Sequence, residues 1–165
     1  MKRIIVAMAA PATMPPLALR RLTGPEQALA RGIFGPSLET GRVRVFAAPW
    51  WPRAFVPNGS LVVWPAATAR LDFTAAPPGA TATLVHELTH VWQAQNGVNL
   101  LFSKLKAGDS AAAYAYDLDR GPAFAGLNIE QQAMVVEHAF LARHGAPTPF
   151  PAAAYRAFLA DFGRG

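Results

Sequence analysis

Apolar positions along this chain come in short blocks of two different periods, and together they set out a mixed architecture. Leu29, Ile33 and Phe34 recur at helical spacing behind Thr23-Gly24-Pro25-Glu26, a capping box with proline in the first turn. That run stops at Gly35-Pro36. Arg42-Val43-Arg44-Val45-Phe46 alternates instead, which predicts a strand with Val43 and Val45 turned inward. Pro49-Trp50-Trp51-Pro52 reads as a rigid aromatic loop, and Pro57-Asn58-Gly59 as a turn. Ser60 to Trp64 reads as a second strand, ended by Pro65. After Pro77-Pro78-Gly79, a helix is predicted from about Thr81 to Asn96, with Asn96-Gly97 as its stop. Residues 98–127 keep no single period. Leu100 to Lys106 reads as a helical turn and the rest as irregular chain, a length that in a small domain often carries function. Asn128 then caps a second strong helix, with Gln131 completing a capping box, and that helix runs to about His144 before Gly145 and Pro147. A last helix from about Ala152 sets Tyr155, Phe158, Leu159 and Phe162 at helical spacing, a stripe best explained by core packing. The sum is an α+β domain with a small sheet and several helices.

Composition narrows this picture. The 165 residues are enough for one domain with a real core and short for two. We therefore read residues 1–165 as a single domain, with 1–20 as an N-terminal arm or strand. Hydrophobic residues make up 52% and charged ones 15%, which fits a folded globule and argues against disorder. There is no cysteine, so disulfides, thiolate zinc sites and a cysteine nucleophile are excluded. The net charge is +5, but the bases are scattered over Arg20, Arg21, Arg31, Arg42, Arg44, Arg53, Arg70, Lys104 and Lys106. That dispersion reads as a solvated positive surface, and no nucleic-acid partner is expected. No run reaches the roughly eighteen apolar residues of a membrane helix, so no membrane span is expected. Met1-Lys2-Arg3 followed by Ile4 to Ala10 has the order of a signal peptide, but its apolar part is short and Pro11 cuts it off. It gives no convincing signal, and cytoplasmic and exported locations both stay open.

One motif carries chemistry. His86-Glu87-Leu88-Thr89-His90 matches H-E-x-x-H on the predicted helix. Residues i and i+4 share a helix face, so both imidazoles can reach one ion. Glu87, beside the first histidine, can hold an activated water and take its proton. Leu84, Val85, Leu88, Val91 and Trp92 make the surroundings apolar or neutral, where two histidines and a glutamate are costly to bury unless a metal pairs them. The alternative is a core helix whose histidines bond to their neighbours.

A catalytic zinc site usually takes three protein ligands. The extended form H-E-x-x-H-x-x-G-x-x-H is excluded, because Gln93 stands in place of the glycine and Asn96 in place of the last histidine. The chain has ten acidic residues, which keeps the search short. Asp72, Asp109, Asp117 and Asp119 fall in predicted loops, Glu39 in a turn and Asp161 near the terminus, while Glu26 caps a helix. Glu130 and Glu137 remain, seven residues apart on one face of the second strong helix. Glu130 is the better ligand candidate; otherwise it is a favourable charge at a helix N-terminus. Glu137 is a group that orients a ligand histidine, or a solvated acid, or the next place to look for the third ligand. His138 and His144 read as surface or packing histidines. Tyr116 or Tyr114, in the irregular segment after the motif helix, is the candidate to stabilise an oxyanion, against ordinary packing.

Leu84-Val85-His86-Glu87-Leu88-Thr89-His90-Val91-Trp92-Gln93 resembles the motif of small bacterial proteins termed Vgr-related, gluzincin-like metallopeptidases of minimal size. Leu22-Thr23 through Phe34-Gly35, the strand Val43 to Phe46, Pro57-Asn58-Gly59, Tyr114 to Leu118 and Asn128 to Ala133 are similar to the same family, so the resemblance spans most of residues 20–142. It implies a zincin-like domain, with a short sheet packed on an active-site helix and a second ligand-bearing helix. It further implies His86, His90 and Glu130 as ligands of Zn2+, Glu87 as general base, and peptide-bond hydrolysis by a zinc-activated water. In zincin-like folds a sheet edge before the motif helix pairs with extended substrate, which assigns that role here to Ser60, Leu61 and Val62. A peptide or protein substrate is then expected. The competing reading is a zinc-binding accessory or interaction module without turnover, with a protein partner and a link to type VI secretion. The chain shows no Vgr spike-like β-repeat, so no spike function is assigned.

Overall fold

The computed structural model describes residues 12–108 and 110–163. Most of the expected N-terminal arm, residues 1–11, lies outside them, as does Asp109. The arm's described part forms an isolated bridge from Thr13 to Arg70, and then strand β1 (Leu19–Arg21). Thr23 caps α1 (Gly24–Phe34) through a complete capping box with Glu26, as its sequence predicts. Glu26 is fully buried, and its carboxylate does more than cap. It accepts from Thr23 N (2.9 Å), from Phe73 N (2.9 Å) and twice from the Arg20 guanidinium (2.7 Å each), tying β1, α1 and the 70s loop together.

The sheet has four strands in the order β1-β2-β4-β3, with β2 at Arg44–Ala48, β3 at Phe55–Asn58 and β4 at Leu61–Pro65. β1 pairs antiparallel with β2, β2 parallel with β4, and β3 antiparallel with β4. This corrects two expectations. Pro57 and Asn58 belong to a strand, and the reversal falls one step later, at Gly59-Ser60. The hairpin then sends β4 into the middle of the sheet, between β2 and β3. Leu61 and Val62 are already paired with Arg44 and Val45, and the Ser60 carbonyl accepts from Arg44 N. The second strand is therefore not an edge, and its backbone has no free side to offer a substrate.

Val43 and Val45 do point inward. With Ala47, Val62 and Trp64 they form an apolar sheet face. Against it packs α2 (Pro78–Gln95), which starts with proline in its first turn and stops at Asn96 and Gly97, the latter at φ 89°. Leu84, Val85, Leu88 and Val91 are completely buried there, each contributing about 1.5–3 kcal/mol of apolar burial. The irregular stretch contains two short helices, α3 (Leu100–Ala107) and α4 (Ala111–Tyr114). Asn128 caps α5 (Ile129–Arg143), accepting from Glu130 N and Gln131 N, and its own Nδ2 donates to Ala113 O. That bond pins the irregular stretch to the start of α5. Val136 and Phe140 bring α5 onto the main core beside α2. α6 (Ala152–Phe158) closes a smaller cluster around Leu127, Val135 and Tyr155. Phe162 lies beyond α6 and stacks edge-on with Phe34 and Trp92.

The architecture is thus α+β, one small sheet covered by helices. Among the described residues, no helix is long and apolar enough to cross a membrane.

Candidate metal centre

The helical period of α2 puts His86 and His90 one turn apart on the side that faces α5, with ring centroids 5.0 Å apart and edge to face. The first turn of α5 delivers Glu130 opposite them. Its Oε2 lies 3.5 Å from His86 Nε2 and 3.5 Å from His90 Nε2. That spacing is long for a hydrogen bond. It is close to the roughly 3.3–3.4 Å that separates two donors on a tetrahedral ion with bonds of about 2.0–2.1 Å. The three donor atoms all lie within 4.8 Å of one another, and all three side chains are largely buried. Among the described residues this is the one His/Cys/Asp/Glu group so arranged, and it can hold a metal ion.

The outer contacts fix the imidazoles with their Nε2 atoms inward. His86 Nδ1 meets Glu137 Oε2 at 2.9 Å, so a hydrogen on Nδ1 leaves the Nε2 lone pair for an ion. His90 Nδ1 meets Gln93 Oε1 at 2.8 Å. Gln93 is completely buried, and its amide nitrogen donates to Ile129 O (3.0 Å) and Gln132 Oε1 (2.8 Å), which orients its oxygen toward His90. Gln93 was legible in the sequence only as a mismatch to the extended motif. The signal that identifies it is a neutral amide one turn past His90, on the helix face that carries both histidines.

Charge is concentrated at this crossing. Burial works against a proton on His86, but Glu130, Glu137 and Glu87 outweigh it and push its pKa up to about 9. Burial alone would raise Glu130; the imidazoles of His86 and His90, with Lys104, hold it well below the usual carboxylate range. A proton on His86 and a cation between the three donors answer the same need, which is to compensate clustered carboxylates. Glu87 is buried, and burial is the main cause that raises its pKa. Its Oε2 has no hydrogen-bond partner among the described residues.

A cavity of about 1050 Å³ opens over these groups. His86, Glu87, His90, Glu130 and Glu137 form its floor; Trp51 to Pro57 line one wall, and Leu100, Leu101, Lys104 and Tyr114 another. Ser60, Leu61 and Val62 do not line it; β4 reaches it only through Trp64 and Pro65. Tyr116 is also absent from the lining. Its hydroxyl is held between His138 Nδ1 and Tyr155 Oη, at 2.6 Å each, within the smaller core cluster. Burial first, and then the Tyr155 bond, raise its pKa. Of the two tyrosines, Tyr114 is the one at the cavity. His138 is accounted for by Tyr116, and His144 Nδ1 lies 2.8 Å from the Phe140 carbonyl, so both are packing histidines. Lys104, read in the sequence as one of many solvated bases, places Nζ 2.6 Å from Glu130 Oε1.

No family model matches the chain. Over 137 residues it is 33% identical to the type VI secretion system spike protein VgrG2b of Pseudomonas aeruginosa, a stretch that covers 76% of this chain. The chain spans 13% of that relative's length. The solved effector domain of P. aeruginosa VgrG2b superposes with a TM-score of 0.68 at 29% identity, covering 93% of this chain and 87% of that one. The resemblance to Vgr-related proteins is therefore borne out as homology to the VgrG2b effector domain.

Proposed function

We propose that this chain, read as one zincin-like domain, is a type VI secretion-linked effector-type module whose centre at His86, His90 and Glu130 holds zinc and hydrolyses peptide bonds in a protein target. The observation that carries the reading is the arrangement of three inward donors beside a buried Glu87 with an uncommitted oxygen. Two imidazoles and a carboxylate, with no thiolate, suit zinc, and on this reading the chain is gluzincin-like. When bound, the ion supplies a Lewis acid and an acidified water.

The protein's own groups do the rest. Glu137 and Gln93 keep the imidazole Nε2 atoms turned inward. Glu87 accepts the proton of the attacking water at Oε2 and later passes it to the leaving amine. Tyr114, which lines the cavity, is on this reading the group that steadies a developing oxyanion. The edge strand β3, with Phe55 and Val56 lining the cavity, takes over from β4 the role of guiding an extended peptide.

The second reading is a metal-holding interaction module without turnover. Homology to an effector domain is compatible with it, and so are Leu101, Phe102 and Leu105, which α3 exposes at 75%, 67% and 76%. Elemental analysis of the purified chain, followed by a peptide-library assay with Glu87→Gln as control, separates the two. About one zinc per chain with cleavage lost in the variant supports hydrolysis. One zinc with no cleavage in either protein leaves the module, and no metal sinks both.

A further inference from the structure

The two oxygens of Glu130 have different partners. Oε2 faces both histidine Nε2 atoms at 3.5 Å, while Oε1 is bonded to Lys104 Nζ at 2.6 Å. A carboxylate can bind an ion through one oxygen or both, and the choice sets the coordination number. We infer that Lys104 is a positioning residue that reserves Oε1 for itself, so that Glu130 gives the metal a single oxygen. The inference rests on the metal-centre reading above.

Lys104 is well placed to do this. It sits on α3, whose first turn is capped by Asn99 accepting from Phe102 N. Its ammonium also donates to Tyr114 Oη at 3.1 Å and lies 5.4 Å from the centroid of that ring, so the head group is held from two sides. A short ammonium–carboxylate bond to a buried acid is strong and directional. Its first effect is to stop the carboxylate from rotating to present both oxygens. Its second would be to keep the ligand count at three protein atoms, so that an ion held there could still take a water or a substrate oxygen. The α2–α5 crossing supplies the ligands, and α3 sets how one of them binds.

Cobalt(II) in place of zinc reads this directly, because four-coordinate cobalt absorbs several-fold more strongly in the visible than five- or six-coordinate cobalt. Wild type, Lys104→Met, Lys104→Gln and Lys104→Arg are loaded with cobalt, and circular dichroism confirms that each is folded. The expected result is an intense four-coordinate band in wild type that falls at least about two-fold in both neutral variants, as Glu130 closes on the ion with its second oxygen. Lys104→Arg, which keeps a cation on Oε1, restores the band. A wild-type band that Met and Gln reproduce overturns the inference and leaves the metal centre standing. Wild-type protein that takes up no cobalt overturns the metal-centre reading and the inference with it. The side chain of Lys104 is partly exposed (40%), so its neutral variants should fold, and the two of them guard against one failing.

Discussion

Glu26 and Glu130 are both buried acids in the first turn of a capped helix, and both pair with a long cationic side chain. They differ in what is left over. Glu26 receives four hydrogen bonds, two on each oxygen, from Arg20, Thr23 and Phe73. Nothing further can bind it, and its cost of burial is met inside the fold. Glu130 gives one oxygen to Lys104 and turns the other to two imidazoles that are already committed through their Nδ1 atoms. A closed carboxylate holds the architecture, and an open one marks a place for something else. Burial alone does not distinguish them; the count of donors per oxygen does.

Substitution breaks the comparison in graded ways. Replacing Glu87 with Gln should lower peptide hydrolysis by about 10²–10⁴-fold while leaving metal content at the wild-type level, measured by turnover and elemental analysis on one preparation. Undiminished hydrolysis would remove Glu87 from the chemistry. Glu26→Ala should cost about 3–5 kcal/mol, because it strands Arg20 and the Phe73 amide, and should lower Tm by on the order of 10 °C. Glu130→Ala should instead abolish metal binding and change the Tm of chelator-treated protein far less. Equal losses of stability in these two variants would erase the distinction drawn above.

Smaller effects sharpen it. Gln93→Leu should weaken zinc affinity about 10–100-fold in a chelator competition, since His90 loses the partner that sets its ring. Unchanged affinity would make Gln93 a packing residue only. Tyr116→Phe should cost about 1 kcal/mol through its bonds to His138 and Tyr155 and leave hydrolysis as it was. A large fall in turnover without a matching change in Tm would restore Tyr116 to the site.

These contrasts also mark what the chain made legible. The motif helix, the Asn128 cap and the paired acids of α5 are local patterns, and Glu130 emerged from a short list of acids. Donor geometry is not local. That Glu26 is saturated depends on Phe73, 47 residues away, and no spacing rule reaches so far. The strand order misled for the same reason: Pro57-Asn58-Gly59 carries turn chemistry, and only the whole sheet shows that β3 takes the edge while β4 goes inside. Tyr116 and Tyr114 sit two residues apart in a segment without periodicity, so which one faces the cavity was open until that segment was pinned by the Asn128 side chain. Lys104 was hidden because isolated lysines are usually solvated.

Pro57 has one more consequence, for how copies of this protein meet. An open strand edge invites another strand to add to it, and repeated addition is the start of aggregation. β3 is such an edge, only four residues long, and irregular in its pairing between Phe55 and Asn58. Proline at its third position has no N–H to give to a ladder, and sheets tolerate such a residue at their edges. On the proposed reading this edge aligns a few residues of a guest, while its shortness and irregular pairing make it a poor template for a growing stack of its own kind.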